Sequence, residues 1–258
     1  MDKIVAMREE MVRQSMENNG ELCTCDCGKP KFPLTSNKQI RSISSEQTHG
    51  TKILEKRESI IDVLQNTQRS LNIMEVGVMA GDFAELMYNN LKINKMVLVD
   101  PFNNIDEMSL DGNRRFNRET NLEFVKQRFQ NKNNVEILQG YSRKVLPTNF
   151  LGTNNNDKFD FIYIDSNHEF FNTYNEILYS AQLTKTTGII GIDDYTLSLN
   201  DPLYVCEVMQ AVTQFLDTNR DWKVAYYSFN DAGIPNIYLS RYFEDEHPWQ
   251  DSNLRPTP

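Results

Sequence analysis

The chain has 258 residues, a length that suits one open α/β domain better than two. Hydrophobic residues make up 39% and charged residues 24%, as in a globular protein, and no run of 18 apolar residues could span a membrane. The net charge of −9, without a cluster of Lys or Arg, disfavours a nucleic-acid partner, whose phosphates would be repelled. The first residues lack the apolar core of a signal peptide, so the cytoplasm is the expected location.

The first 50 residues are predicted to form a helix followed by a polar linker or lid. Apolar residues recur at helical spacing from Lys3 to Glu17, and residues 21–50 are polar and interrupted by Gly and Pro. Within them, Cys23-Thr-Cys-Asp-Cys27 suggests zinc, but the spacing is Cys-x-Cys and Cys206 is far away along the chain. A reduced segment without metal is the favoured interpretation.

After a predicted helix from Thr51 to about Gln68, strands alternate with helices. The predicted strands are Leu71–Val78, Lys95–Asp100, Val135–Gly140, Phe159–Asp165, Gly188–Asp193, Trp222–Tyr227 and Asn236–Arg241. The predicted helices are Asp82–Leu91, Arg115–Gln130, Phe171–Leu183 and Pro202–Thr218. Residues 51–243 are therefore expected to form the main domain. Residues 244–258 lack periodicity and are expected to be a disordered tail.

Strand composition predicts how this sheet is built. Continuous apolar runs such as Val97–Val99 are typical of parallel strands that are buried on both faces. The last two strands are joined by a short connection with Gly233 and Pro235, too short for a crossover helix, so they should pair antiparallel. The fold class is thus α/β, with a Rossmann-like seven-stranded sheet flanked by helices.

The first of these strands ends in a glycine-containing turn that opens a helix. Gly77 and Gly81 lie there, and glycine lets the backbone approach a ligand closely. A dinucleotide site uses Gly-x-Gly-x-x-Gly, whose middle glycine is missing here. Glu75 would repel a pyrophosphate but suits a cationic or amino-bearing ligand such as S-adenosylmethionine. A nicotinamide-dependent oxidoreductase is the disfavoured alternative.

Asp100 ends the second strand, about 20 residues after the glycine turn, where an acid accepts hydrogen bonds from ribose hydroxyls. The alternative is an aspartate that caps a helix or a turn. The glycine turn favours the ribose interpretation.

Three further acids follow two strands that should be neighbours. Asp165 ends the fourth strand, and Asp193 and Asp194 end the fifth. Converging carboxylates repel one another unless a cation neutralises them, and Mg²⁺ prefers oxygen ligands. N-capping by one or two of these acids is the alternative.

The chain resembles the class I S-adenosylmethionine-dependent methyltransferases, and more closely the branch with macrocin-type sugar O-methyltransferases and cephalosporin-type methyltransferases. The resemblance covers roughly Ile53 to Arg241. It rests on Glu75–Gly81, Val99–Phe102, Gly140–Ser142, Phe159–His168 and Gly191–Tyr195, in this order. It implies strand order 3-2-1-4-5-7-6 with strand 7 antiparallel, which agrees with the hairpin predicted from the chain.

The resemblance also implies roles for particular residues. Gly77 and Gly81 are expected to line the methionine part of the cofactor with Glu75 nearby, Asp100 to hold its ribose, and Tyr141 and Ser142 to border its adenine. Gly140 and Asp165 are also expected to contact the cofactor. Asp165, Asp193 and Asp194 are expected to bind Mg²⁺ (or Mn²⁺), which would hold adjacent hydroxyls of the acceptor.

His168 lies on the same loop as Asp165. Relatives read Ile-Asp-Gly-Asp-His-Ser-Tyr there, whereas this chain has Ile-Asp-Ser-Asn-His-Glu-Phe, with Ser166 and Asn167 in place of Gly and Asp. A neutral imidazole would remove the hydroxyl proton, with Asp165 beside it as the second catalytic candidate. A metal-bound alkoxide would need no separate base, and a histidine that only packs or caps is the other alternative.

The sequence therefore predicts an O-methyltransferase. Its acceptor would be a small molecule or a glycan, with a sugar hydroxyl favoured over a catechol-like or polyketide one. No nucleic-acid or membrane partner is expected, and a homo-oligomer is left open. A cofactor-binding module without catalysis is the non-enzymatic alternative.

Overall fold

The structure is a computed structural model that describes residues 23–24, 30–31, 43–102, 118–150, 157–195, 206–230 and 233–241. The chain divides into two compact units, Met1–Ile40 and Arg41–Pro258. In the first unit, strand β1 (Cys23–Thr24) pairs antiparallel with β2 (Pro30–Lys31). The predicted N-terminal helix, the side chains of the cysteine cluster and the predicted tail lie outside the described residues.

The second unit holds the α/β domain. Its strands are β3 (Lys52–Ile53), β4 (Leu71–Val76), β5 (Ile93–Asp100), β6 (Val135–Gln139), β7 (Phe159–Ile164), β8 (Thr184–Ile192), β9 (Lys223–Phe229) and β10 (Pro235–Ser240). Its helices are α1 (Ser45–Thr48), a 3₁₀ helix (Arg57–Ser59), α2 (Ile60–Gln65), α3 (Asp82–Asn90), α4 (Arg118–Phe129), α5 (Ser142–Phe150), α6 (Phe170–Leu183) and α7 (Val208–Thr218). Within the described part of the chain, no helix is long and apolar enough to cross a membrane.

The eight described strands of the second unit form one sheet in the order β3-β9-β10-β8-β7-β4-β5-β6. β10 runs antiparallel to both of its neighbours, and the other pairings are parallel. Counted from β4, this is the predicted order 3-2-1-4-5-7-6 with its seventh strand antiparallel, so the predicted fold is confirmed. β3 adds an eighth strand at one edge.

Within the predicted main domain, residues 51–243, two segments differ most from their predicted secondary structure. The helix predicted from Thr51 to Gln68 is β3, the 3₁₀ helix and α2, because Lys52 and Ile53 pair with Tyr226 and Tyr227 of β9. Helix α5 was not predicted. Pro147 lies inside it, and proline normally argues against a helix interior because it removes a backbone hydrogen bond.

Both faces of the central strands are covered. Successive residues of β4 belong to opposite core clusters, with Ile73 packing on the side of α2, α3 and α4 and Met74 on the side of α5, α6 and α7. Because helices cover both faces, the carboxyl edge of the sheet is where a ligand can meet the strands.

Short α1 lies within the predicted linker and packs on the domain. Its Gln47 is buried, and its side-chain amide donates hydrogen bonds to the carbonyls of Leu216 (2.8 Å) and Trp222 (3.0 Å). Residues 45–48 are therefore folded onto the end of α7 and the start of β9.

Candidate functional site

The turn after β4 requires its glycines. Gly77 has φ +90°, and a Cβ there would lie 1.8 Å from the carbonyl oxygen of Asp165, so a side chain cannot fit between the ends of β4 and β7. Gly81 directly precedes α3 with φ +77°, a left-handed conformation that glycine adopts without strain. The turn thus brings backbone to the carboxyl edge of the sheet with little side-chain bulk.

Asp100 holds this turn against the end of β5. Its Oδ2 accepts hydrogen bonds from the backbone N–H groups of Val78 (2.8 Å) and Met79 (3.1 Å), and Oδ1 accepts one from Phe102 (2.5 Å). An ionised carboxylate has about four acceptor positions, so further bonds to a ribose are compatible with these three. The ribose role stays a prediction.

Glu75 is a buried acid whose carboxyl group is incompletely hydrogen-bonded among the described residues. Its Oε2 has no hydrogen-bond partner among the described residues. Burial raises the pKa of this carboxyl well above its usual value, and nearby Asp165 raises it further, against the lowering effect of Arg57. A buried acid without a partner is costly, and a cationic group of a ligand would remove that cost. Glu75 therefore fits an amino-bearing cofactor.

The sheet brings the two predicted acidic loops side by side. The Asp165 N–H donates to Val76 O (2.8 Å), and the Asp193 N–H donates to Ile164 O (2.9 Å). Burial, with repulsion from Asp165 and Asp194, raises the pKa of Asp193 to about 8. Its Oδ1 has no partner within the described ranges, so negative charge is poorly compensated here.

His168 lies between two of these carboxylates. Its Nε2 is 3.5 Å from Asp165 Oδ1, and its Nδ1 is 3.6 Å from Asp194 Oδ2. Burial lowers the pKa of the imidazole, but Asp165, Asp194 and Asp193 raise it by more, so the net shift is upward. The residue has φ +56°, a strained conformation of the kind found at functional sites. The structure thus supplies an acid–base group held by carboxylates.

The predicted metal ligands fit a divalent cation in chemistry but not in arrangement. Carboxylate oxygens are the right donors for Mg²⁺. Among the described residues, however, no group of three or more His, Cys, Asp or Glu side chains is arranged to hold a metal. The imidazole of His168 lies between Asp165 and Asp194 instead. The metal site remains a prediction, and no reaction step is assigned to it below.

Arg57 supplies positive charge that was not predicted. Its guanidinium carbon lies 4.8 Å from the centre of the Phe83 ring. Burial lowers its pKa, but Tyr163 and the carboxyls of Asp193 and Asp165 raise it by more, so the net shift is upward. Arg57 comes from the 3₁₀ helix, inside a segment that was predicted as an ordinary helix, and no local pattern marked it.

Glu176 is a second residue that sequence reasoning missed. It lies on α6, is buried, and accepts hydrogen bonds from Ser142 and Ser166. The available signal was the position of this glutamate on the helix, one turn after Thr173 and directly before Ile177, both of which are buried with it. Ser142, predicted at the adenine, is thereby tied to the loop that follows β7.

The remaining predicted residues lie at the end of β6. Gly140 has φ +151°, and a Cβ there would lie 2.8 Å from Val145. Tyr141 is 48% exposed, and the guanidinium carbon of Arg143 is 5.3 Å from the centre of its ring. An exposed aromatic ring at this edge is compatible with a flat ligand group.

The sequence and the fold were compared with known protein families and solved structures. Residues 74–195 match a family model described as a methyltransferase domain, and the match begins inside β4 and ends after the Asp193–Asp194 pair. Residues 74–195 therefore carry the match to a methyltransferase domain, and the solved structures described next share the class I fold of the chain.

Solved structures with a similar fold include O-methyltransferases of low sequence identity. TomG from Streptomyces achromogenes, an O-methyltransferase of tomaymycin synthesis in complex with S-adenosylmethionine, is 17% identical, with 71% of this chain and 78% of that chain covered and a TM-score of 0.51. An O-methyltransferase from Bacillus cereus in complex with S-adenosylhomocysteine is 16% identical, with coverage of 71% and 79% and a TM-score of 0.50. A protein from Klebsiella pneumoniae that is provisionally assigned as an O-methyltransferase is 15% identical, with coverage of 71% and 78% and a TM-score of 0.51. No curated protein matches the sequence.

Proposed function

We propose that this protein is an S-adenosylmethionine-dependent methyltransferase that transfers a methyl group to a hydroxyl oxygen of a small molecule or a glycan. The observation that carries the proposal is the His168 imidazole, held 3.5 Å from Asp165 on the strand edge that also carries the glycine turn. O-Methyl transfer requires that the hydroxyl lose its proton as its oxygen attacks carbon, and an imidazole suits that task.

The cofactor would lie along the carboxyl ends of β4, β5 and β6. S-adenosylmethionine, when bound, supplies a methyl group on a positively charged sulfur, with S-adenosylhomocysteine as the leaving product. The buried carboxyl of Glu75 would face its amino group, and Gly77 and Gly81 would leave room for its methionine part. Asp100 would accept from the ribose, and Gly140, Tyr141 and Ser142 would border the adenine.

His168 would accept the hydroxyl proton, and Asp165 and Asp194 would stabilise the imidazolium that forms. Alignment of the acceptor oxygen with the methyl group supplies a large part of the rate enhancement. A sugar hydroxyl remains the favoured acceptor and a catechol-like or polyketide hydroxyl the second choice. Binding of Mg²⁺ or Mn²⁺ by Asp165, Asp193 and Asp194 belongs to the proposal as a separate, testable part.

Calorimetric titration with S-adenosylhomocysteine and with NADH tests the cofactor. We expect binding of the former and none of the latter, and tight binding of NADH alone would end the proposal. Transfer of labelled methyl groups to a panel of glycans and phenols then tests the reaction. A protein that binds the cofactor and methylates nothing in the panel would favour the non-catalytic alternative.

The same transfer assay with EDTA tests the metal. Loss of activity that added Mg²⁺ or Mn²⁺ restores would support the metal site. Activity undiminished by EDTA would remove the metal from the proposal and leave methyl transfer in place.

A further inference from the structure

The carboxyl of Glu176 joins two loops at the carboxyl edge of the sheet. Its Oε1 accepts a hydrogen bond from Ser142 Oγ at 2.5 Å, and its Oε2 accepts one from Ser166 Oγ at 2.6 Å. Ser142 is the first residue of α5, which follows β6, whereas Ser166 directly follows Asp165 after β7. One carboxyl group therefore sets the distance between the predicted adenine border and the loop that carries Asp165 and His168.

Packing alone does not explain an acid at this position. Glu176 is 2% exposed, and the α6 residues one turn before and after it, Thr173 and Ser180, are also buried. Burial raises the pKa of Glu176 to about 7, although the bonds from Ser142 and Ser166 and the charge of His168 lower it. Apolar side chains of similar volume in place of Glu176 and its two serine partners would avoid this desolvation, and such replacements are often neutral or stabilising. The hydrogen bonds to Ser142 and Ser166 therefore explain the acid at position 176 better than core packing does.

We infer that Glu176 is a positioning residue that couples binding of the cofactor's adenosine part to the placement of the loop bearing Asp165 and His168. The inference rests on the proposed function, because it takes Ser142 to border the adenine. An ionised carboxylate accepts from both serines, whereas a protonated carboxyl has a donor on one of its oxygens. The coupling should therefore weaken when Glu176 is protonated.

Binding of adenosine to the full chain, measured by calorimetry, tests the coupling without knowledge of the acceptor. We expect Glu176→Gln and Ser142→Ala each to raise the Kd of adenosine about tenfold, the size expected for a lost hydrogen bond to a charged group. Ser166→Ala should raise it too, although Ser166 belongs to the other loop. In the Glu176→Gln background, Ser142→Ala should have little further effect.

Ser180→Ala is the matched control. Ser180 lies on the same helix, is fully buried, and its hydroxyl has no hydrogen-bond partner among the described residues. This variant removes a buried serine hydroxyl without touching either loop, so its adenosine Kd should equal that of the wild type. Thermal unfolding of every variant separates a loss of stability from a loss of coupling.

The pH dependence of adenosine binding gives a second readout that a purely structural role would not change. Adenosine has no group that titrates near neutral pH and lacks the amino-acid part that would face Glu75. Wild-type affinity should fall as pH drops through about 7, where Glu176 takes up its proton. The charged group that faces Glu176 is His168. The fall should persist in His168→Gln and vanish in Glu176→Gln.

The outcomes separate the two proposals. If the wild type binds neither adenosine nor S-adenosylhomocysteine, the proposed function fails. If the wild type binds both but Glu176→Gln and Ser166→Ala bind adenosine equally well, the positioning role is overturned while the function stands. Lower thermal stability of Glu176→Gln with unchanged adenosine binding would also overturn it. Should Glu176→Gln not fold, the two serine variants decide, because each removes one bond and keeps the carboxyl.

Discussion

The neighbouring parallel strands β7 and β8 carry a buried acid at each edge of the sheet, Asp160 at the amino edge and Asp193 at the carboxyl edge, and the surroundings of the two acids differ. At the amino end, Asp160 accepts hydrogen bonds from the Asn72 N–H (2.8 Å) and from Lys185 Nζ (2.8 Å), and Arg69 lies 3.4 Å away. Across the sheet, beside Asp165 at the carboxyl end, Asp193 has an oxygen without a partner in the described part of the chain and faces like charges.

This contrast separates a structural acid from a functional one. A buried carboxylate that serves stability is surrounded by donors, because an uncompensated buried charge is costly. An arrangement of acids that repel one another lowers stability, and such arrangements with shifted pKa values are concentrated at functional sites. The four predictions below test this contrast between the amino and carboxyl edges.

The largest expected effect is on catalysis at the carboxyl edge. His168→Ala should lower kcat for methyl transfer by about 100-fold or more, the contribution typical of a general base, with little change in the Kd of S-adenosylhomocysteine. Steady-state kinetics and calorimetry measure the two quantities. His49→Ala is the matched control because His49 is exposed and directly follows α1, which packs on the end of α7 and the start of β9. Equal kcat values for the two histidine variants would show that His168 is not the general base.

At the amino edge the effect should be on stability instead. Asp160→Asn should lower the free energy of unfolding by about 2 kcal/mol, since it removes charge-assisted bonds and leaves Lys185 facing a neutral amide. Urea denaturation measures this. Cofactor affinity should stay at the wild-type value. Weakened S-adenosylhomocysteine binding in this variant would show that the two edges are not separable.

At the carboxyl edge, Asp193→Asn should raise the free energy of unfolding, whereas Asp160→Asn lowers it. The pKa of Asp193 is raised to about 8 by burial and by neighbouring carboxylates, so the folded protein binds a proton more tightly than the unfolded chain. Stability from this group is present at low pH and is lost as pH rises from about 4 to about 8. In metal-free buffer, the variant should therefore gain stability over the wild type as pH rises through this window. Urea denaturation at pH 5.5 and 8.5 measures the gain, and a variant less stable than wild type at pH 8.5 would contradict it.

The smallest effect is expected from Arg69. Its side chain is 45% exposed and lies 3.4 Å from Asp160, so solvent screens the pair, and Arg69→Ala should lower the free energy of unfolding by about 0.5 kcal/mol. The loss should shrink in 1 M salt. A loss as large as that of Asp160→Asn would mean that Arg69, and not Lys185 or the Asn72 N–H, dominates the amino-edge pairing.

The sequence predicted those features that local patterns encode. Continuous apolar runs marked β4, β5, β7 and β8, and the short connection before Pro235 marked the antiparallel strand. Because neighbouring parallel strands end at one edge, the meeting of Asp165 with Asp193 followed from strand order alone. Periodicity and turn chemistry thus predicted the strands and the antiparallel hairpin, whereas the full order of the strands was implied by the resemblance to class I methyltransferases.

The features that were missed depend on contacts between distant parts of the chain. β3 forms because Lys52 and Ile53 pair with Tyr226 and Tyr227 of β9. The sequence around residue 52 contains no local pattern that predicts this pairing. Arg57 interacts electrostatically with acids that follow other strands. Glu176 accepts hydrogen bonds from serines that lie in two other segments of the chain. Charged residues on predicted helices are usually solvent-facing, so their burial is visible only once the helices are packed.

The position of β10 has a consequence for synthesis on the ribosome. Among the described strands β10 is the last to be made, yet it lies between β8 and β9, and its pairing with both attaches β9 and β3 to the rest of the sheet. While the nascent chain is still growing towards Pro235, β8 therefore presents an open hydrogen-bonding edge, of the kind that invites pairing with other chains. A translational pause or a premature stop just before that residue should leave a product prone to aggregation, which pelleting of a chain ended at Asn230 would detect.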